Sequence, residues 1–262
     1  MTQRSLIVRN VGLWMACVAV IVGRAQTTAA EDGGSASELL GQRGPNMAFP
    51  SNAANRIDFE RAKHEVRKQE LLYGVNHANV GRALATLAEL SLEGSGDLKV
   101  KSQEAEPIYE RALMILEKTA APDDHQLLMV MDGLAYIYSI QERYPEAEKL
   151  YRRVLPLKKV LANKENPTGR HPYDHSRDFA MTLYNLARNF HAQNRLVEAD
   201  AFYQHALTVL QRDTGPDANG SRRLEETVLT SYLTLLRRVS RTDEVRAMEA
   251  RKERVREISR DR

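Results

Sequence analysis

Between Phe179 and Leu210 the apolar residues recur at helical spacing in two blocks separated by a polar turn. Leu183, Leu186, Ala187 and Phe190 stand at i, i+3, i+4 and i+7, which lays one apolar stripe along a helix and leaves polar residues on its other faces. Gln193-Asn194-Arg195 makes the turn. A second helix from about Leu196 then sets Ala199, Phe202, Tyr203, Ala206 and Val209 on its apolar side, small residues alternating with larger ones so that two helices can approach closely. The pattern is repeated 52 residues earlier, where Leu134-Ala135, Ala147 and Tyr151 correspond to Leu186-Ala187, Ala199 and Tyr203. It occurs again 42 residues before that, Ala105 standing to Ala147 as Ala147 stands to Ala199, followed by Tyr109-Glu110-Arg111-Ala112. Phe59-Glu60-Arg61-Ala62 repeats this last block. The chain is therefore expected to be all-α, a tandem of helical hairpins each burying its stripe against the next.

Small and large residues at fixed places in a hairpin of about 34 residues resemble the tetratricopeptide repeat. The 42-residue spacing is similar to the long-repeat form of kinesin light chains and their bacterial relatives, whose linkers read Gly-Pro-Asp-His-Pro. Gly74-Val75-Asn76-His77-Ala78, Ala121-Pro122-Asp123-Asp124-His125 and Thr214-Gly215-Pro216-Asp217 look like worn copies, and Arg170-His171-Pro172-Tyr173-Asp174 keeps the His-Pro. The resemblance implies a right-handed superhelical solenoid over residues 56–262, about three full repeats with terminal half-repeats, serving as a scaffold for protein or peptide partners. An incomplete leading repeat and a charged ending, Arg251-Lys252-Glu253-Arg254-Val255-Arg256-Glu257, would cap it. Within the repeats, a first helix is expected from His77 to Leu92, and its partner from Ser102 after an extended turn, Glu93 to Asp97. Pro145 should open a helix. Pro156 should kink or end one, and with the insertion from Lys164 to Tyr173 it suggests an irregular step in the stack.

Before the repeats the pattern changes. An apolar run, Val11 to Gly23, follows Arg4 and Arg9 and is closed by Arg24, which reads as a secretory signal peptide, residues 1–25, with cleavage after Ala25 or Ala30. It is shorter than the roughly 20 residues of a membrane span, so membrane attachment is expected only if the segment is retained. Residues 26–55 are rich in Gly, Ala, Ser and Asn and read as a flexible linker. Cys17, the only cysteine, belongs to the apolar run, so the exported chain would have no thiol, disulfide or cysteine metal site. The expected location is the periplasm or beyond the cell. Arg4, Arg9 and Arg24 also hold the whole formal excess of charge, since without them 38 basic residues fall to 35 against 35 acidic ones. A neutral chain lacks the phosphate-neutralising surplus that drives nucleic-acid binding.

Catalytic patterns are not evident: Gly-rich phosphate loops and nucleophile elbows are absent, so the chain reads as no enzyme and needs no cofactor. His171 and His175 flank Asp174, but Pro172 interrupts the helix that would align them, so no metal site is expected there, and the other histidines look scattered. Glu104 and Glu106, like Glu146 and Glu148, are expected at helix starts facing water.

In the fold that the resemblance implies, the first helix of each repeat lines a concave groove. Positions between its packing residues are the binding candidates: Arg82, Thr86 and Glu89 in the first repeat; Met129, Asp132, Tyr136 and Ser139 in the second; Met181, Tyr184, Asn185, Arg188 and His191 in the third; Thr230, Thr234 and Arg237 in the last. Asn185 stands where kinesin-light-chain-like repeats carry an Asn resembling a backbone clamp for an extended peptide, whereas the second repeat has Gly133. Arg188, Asn185 and two tyrosines on one wall would suit peptide amides and a carboxylate. The alternative is a structural or oligomerising subunit of an envelope assembly without a free peptide ligand, which apolar residues exposed on the leading cap would favour.

Overall fold

A computed structural model of the chain describes residues 52–93, 96–163, 175–212 and 218–260. The expected signal peptide and most of the expected linker, the Lys164–Tyr173 insertion, and the motifs at His171, Asp174 and Thr214–Asp217 lie outside these residues. Among the described residues there are nine helices and no strand: α1 (Asn52–Tyr73), α2 (Ala78–Leu92), α3 (Leu98–Thr119), α4 (His125–Ile140), α5 (Tyr144–Ala162), α6 (His175–Ala192), α7 (Leu196–Arg212), α8 (Ala218–Arg238) and α9 (Thr242–Arg260). No described helix is long and apolar enough to cross a membrane.

Each helix packs on the next, and α2, α4, α6 and α8 also touch one another in series. That is the contact pattern of a solenoid: a lone leading helix, then four hairpins whose first helices form a continuous inner row. The alanines account for the close approach. Ala88, Ala105, Ala112, Ala135, Ala147, Ala187, Ala199 and Ala206 are all fully buried, as are Tyr109, Tyr151 and Tyr203 at one register of successive second helices. Ala62 of α1 is buried at the register of Ala112, so α1 packs as a second helix whose first is missing. Two apolar clusters form the core, one from α1 to α5 and one from α4 to α9, and Tyr138 and Leu150 pack against both.

Three turns share one construction. Glu142, Asn194 and Ser240 follow α4, α6 and α8 with φ of 64°, 60° and 58°, and the next N–H, of Arg143, Arg195 or Arg241, returns to the carbonyl of Tyr138, Phe190 or Leu236 at 2.8–3.0 Å. This left-handed cap closes the last helical turn without glycine. It also aims three arginines. Arg143 pairs with Glu146 and with Glu106 of the previous hairpin, Arg195 with Glu198 and Glu148, and Arg241 with Glu244 and Asp200. Glu106 and Glu148 are therefore links between hairpins and not water-facing dipole partners; Glu106 lies well inside α3, because that helix starts at Leu98, with Asp97 accepting from the Lys99 N–H at 2.8 Å. Removing one rung, as in Arg195→Ala, should lower stability by about 1 kcal/mol, the scale of a part-exposed pair, readable as a reduced urea midpoint.

Pro145 does open α5, but Pro156 does not end it. Pro156 is exposed, so the Arg152 carbonyl that loses its helical partner lies on the solvent side, and the helix continues to Ala162. Pro107 is carried the same way inside α3. The continuation matters because it brings Lys158 beneath α4.

At the far end, charge on α9 is used internally: Arg251 pairs with Glu225 at 2.6 Å and donates to the Leu207 carbonyl at 3.0 Å, and Arg256 pairs with Glu226 at 2.5 Å.

Candidate binding cleft

The inner row of helices leaves a cleft of about 210 Å³. Helix α2 contributes Glu89 and Leu92, α4 contributes Met129, Asp132, Gly133 and Tyr136, and α6 contributes Arg177, Asp178, Met181 and Asn185; Tyr109 of α3 and Lys158 of α5 complete the lining. Glu89, Met129, Asp132, Tyr136, Met181 and Asn185 are thus brought together as their spacing implied. A space of this size holds one or two side chains and is smaller than the several hundred Å³ of a small-molecule site.

The other candidates stand elsewhere. Arg82 is exposed and pairs with Asp124 at 3.2 Å, while Thr234 and Arg237 are exposed on α8, Arg237 pairing with Glu249 of α9 at 2.6 Å. Tyr184, Arg188 and His191 are buried, at 0, 2 and 1% exposure, and do not line the cleft. The reason is that α8 packs against α6: Tyr184 shares a hydrogen bond with Ser231 at 3.0 Å, and Arg188 lies 5.5 Å from the Tyr184 ring centre. His191 Nδ1 is 3.3 Å from the Tyr203 hydroxyl and its Nε2 has no partner among the described residues; burial, with Arg238 and Arg188 nearby, lowers its pKa to about 4. Ser139 is likewise buried, accepting from Asn189 Nδ2 at 3.0 Å. An Arg188 substitution would therefore probe packing rather than recognition.

Two lining residues come from second helices, which a search of first helices alone could not reach. Tyr109 belongs to the buried tyrosine column, and Gly133 is what admits it: a Cβ on Gly133 would fall inside the edge of the Tyr109 ring. Where the third repeat has Asn185, the second has given the space to an aromatic ring. Gly133→Ala should cost about 1–3 kcal/mol, typical of overpacking, and the cost should shrink in a Tyr109→Leu background. A double-mutant cycle in urea measures that coupling.

Lys158 Nζ pairs with Asp132 Oδ2, which also accepts from the Thr182 hydroxyl at 2.6 Å; Asp132 Oδ1 is buried without a partner among the described residues. Burial pushes the Asp132 carboxyl up against the opposing pull of Lys158 and Thr182. Glu89 remains open to solvent along the cleft, and crowding by the surrounding protein, followed by the charge of Glu93, raises its carboxyl above the ordinary range. Burial and the Glu89 charge together push the Tyr109 hydroxyl up.

Profiles of the tetratricopeptide repeat match residues 101–159 and 179–217, the hairpins that supply most of this wall. The chain contains tetratricopeptide repeats. Two crystal structures of the nearly identical TPR-like repeats ascribed to a kinesin light chain of Podosopora anserina superpose on it with TM-scores of 0.59 and 0.56. Their identities are 15% and 16%, over 80% and 78% of this chain and 91% and 88% of theirs. At such identity the likeness is one of fold, a tetratricopeptide solenoid. No curated protein sequence matches the chain. Tetratricopeptide repeats generally mediate protein–protein interactions.

Proposed function

We propose that the chain is an exported, non-catalytic interaction scaffold that accepts a basic side chain of a peptide or partner subunit in the cleft between α2, α4 and α6. The observation that carries this reading is the placement of charge. Lys158 is spent on Asp132, whereas Glu89 makes no ion pair among the described residues and its carboxyl is already raised. A guanidinium or ammonium beside Glu89, with its stem against Tyr109, Tyr136 and Met129, would relieve that carboxylate. Arg188, on which carboxylate binding was expected to rest, is not in the cleft.

Selection of peptides from a displayed random library on the full chain tests it. Enrichment of Lys or Arg at one position, with Glu89→Gln and Asn185→Ala each weakening the selected peptide at least about tenfold, is the expected result. Peptides without a basic residue, or equal binding by Glu89→Gln, would overturn it. Export rests on the basic start and the apolar run of residues 11–23 in a chain whose one cysteine lies within that run. A bacterial periplasmic location is part of the proposal, and a phosphatase fused after residue 60 should be active there; an inactive, expressed fusion would refute it.

A second reading, self-association through the leading end, is favoured by α1. Leu71 is 88% exposed, with Leu72, Tyr73 and Val75 beside it also more than half exposed. Sedimentation of the Leu71→Lys, Leu72→Glu variant against the unaltered chain decides: dissociation of an oligomer supports this reading, and identical monomers dismiss it.

A further inference from the structure

We infer that His125, His175 and Asp178 form a binding site for one divalent transition-metal ion, joining α4 to α6. One donor atom from each lies within 4.8 Å of the others. His175 and Asp178 are i and i+3 on α6 and so share a face, while His125, the first residue of α4, comes from the adjacent hairpin. His125 Nδ1 is 3.8 Å from Asp178 Oδ2, and the two imidazole rings meet edge to face with centroids 6.1 Å apart. The sequence pairing of His175 with His171 is a different set: the fold gives His175 partners from 50 residues upstream and from its own next turn.

Two imidazoles and one carboxylate select zinc, nickel or copper over calcium and magnesium, which require oxygen donors. Three protein donors leave a coordination position for water. Donor atoms around tetrahedral zinc stand about 3.4 Å apart, given metal–ligand lengths near 2.1 Å, so binding draws the three together by roughly 1 Å, within the reach of side-chain rotation. All three residues are only partly exposed, so the donors are held by the surrounding protein rather than free on the surface.

The surroundings set the order of importance. Both helix N-termini point positive charge at the site, and Lys158 is close, though paired with Asp132. Asp178 supplies the compensating negative charge within the ligand set, with Asp124 beside His125. Asp178→Asn should therefore damage binding as severely as loss of a histidine while keeping the side-chain shape.

The experiment is a calorimetric titration of zinc into the full chain after removal of any affinity tag, repeated with cobalt to follow its absorption spectrum. The expected result is one ion per chain, a rise in melting temperature on adding zinc, and affinity falling at least about tenfold in each of His125→Gln, His175→Gln and Asp178→Asn. His64→Gln, at an exposed histidine on α1, should bind like the unaltered chain. Absence of a one-to-one event would overturn the inference. So would binding that survives both histidine substitutions or is lost in His64→Gln. Circular dichroism of each variant separates lost ligands from lost folding.

Discussion

Lys158→Met is expected to destabilise the protein by about 3–5 kcal/mol, because it leaves the Asp132 carboxylate buried without its cation. Asp132 Oδ1 already has no partner among the described residues, and the Thr182 hydroxyl on Oδ2 supplies a dipole in place of a charge. Adding Asp132→Leu should recover most of the loss, since a pair exchanged for apolar residues of similar volume is often neutral while a broken pair is not. Urea unfolding of the two single variants and the double variant gives the cycle. A single-variant cost below about 1 kcal/mol would mean that water reaches the pair and that the cleft floor is not dry. The pair ties the second hairpin together and, through Thr182, joins it to the third, so its loss should also loosen the cleft.

The second large effect is a dependence of stability on pH that His191 contributes. Its pKa is about 4 in the folded protein against an ordinary value of 6.5, burial being the main cause. As pH falls below 6.5 the unfolded chain takes up a proton that the folded chain resists, so stability declines from pH 6.5 to about 4 and this contribution then levels off. The full difference amounts to about 3 kcal/mol. His191→Leu removes the proton linkage at a fixed cost from the lost Tyr203 contact. Stability of the unaltered chain should therefore fall more steeply with acid than that of the variant over this window, in urea titrations run at half-unit steps. Parallel curves would show that His191 is charged in the fold and that the packing of α8 over α6 is open to water.

The binding candidates divide at this same place. From the 42- and 52-residue offsets, equivalent positions on first helices should be equivalent in exposure. They are not, since Tyr136 lines the cleft while its counterpart Arg188 is buried beside Tyr184. Periodicity specifies which residues share a helix face, but the next hairpin determines how much of that face remains open. In the third repeat α8 covers it. Across the second repeat, Gly133 lets Tyr109 enter and makes a cleft lined partly from behind.

The repeating stripe of small and aromatic residues determined, by itself, the helices, their pairing into hairpins and the solenoid. Those properties depend on short-range periodicity and on alanines that force close approach, and both are written locally. Tertiary structure alone decided which polar residues meet. Lys158 reaches Asp132 only because α5 runs through Pro156, and the arginine rungs form only because left-handed caps after α4, α6 and α8 turn Arg143, Arg195 and Arg241 back toward the preceding hairpin. His125 meets His175 across two adjacent first helices. Contacts of this kind depend on the angle and distance between helices far apart in sequence, which no local pattern contains.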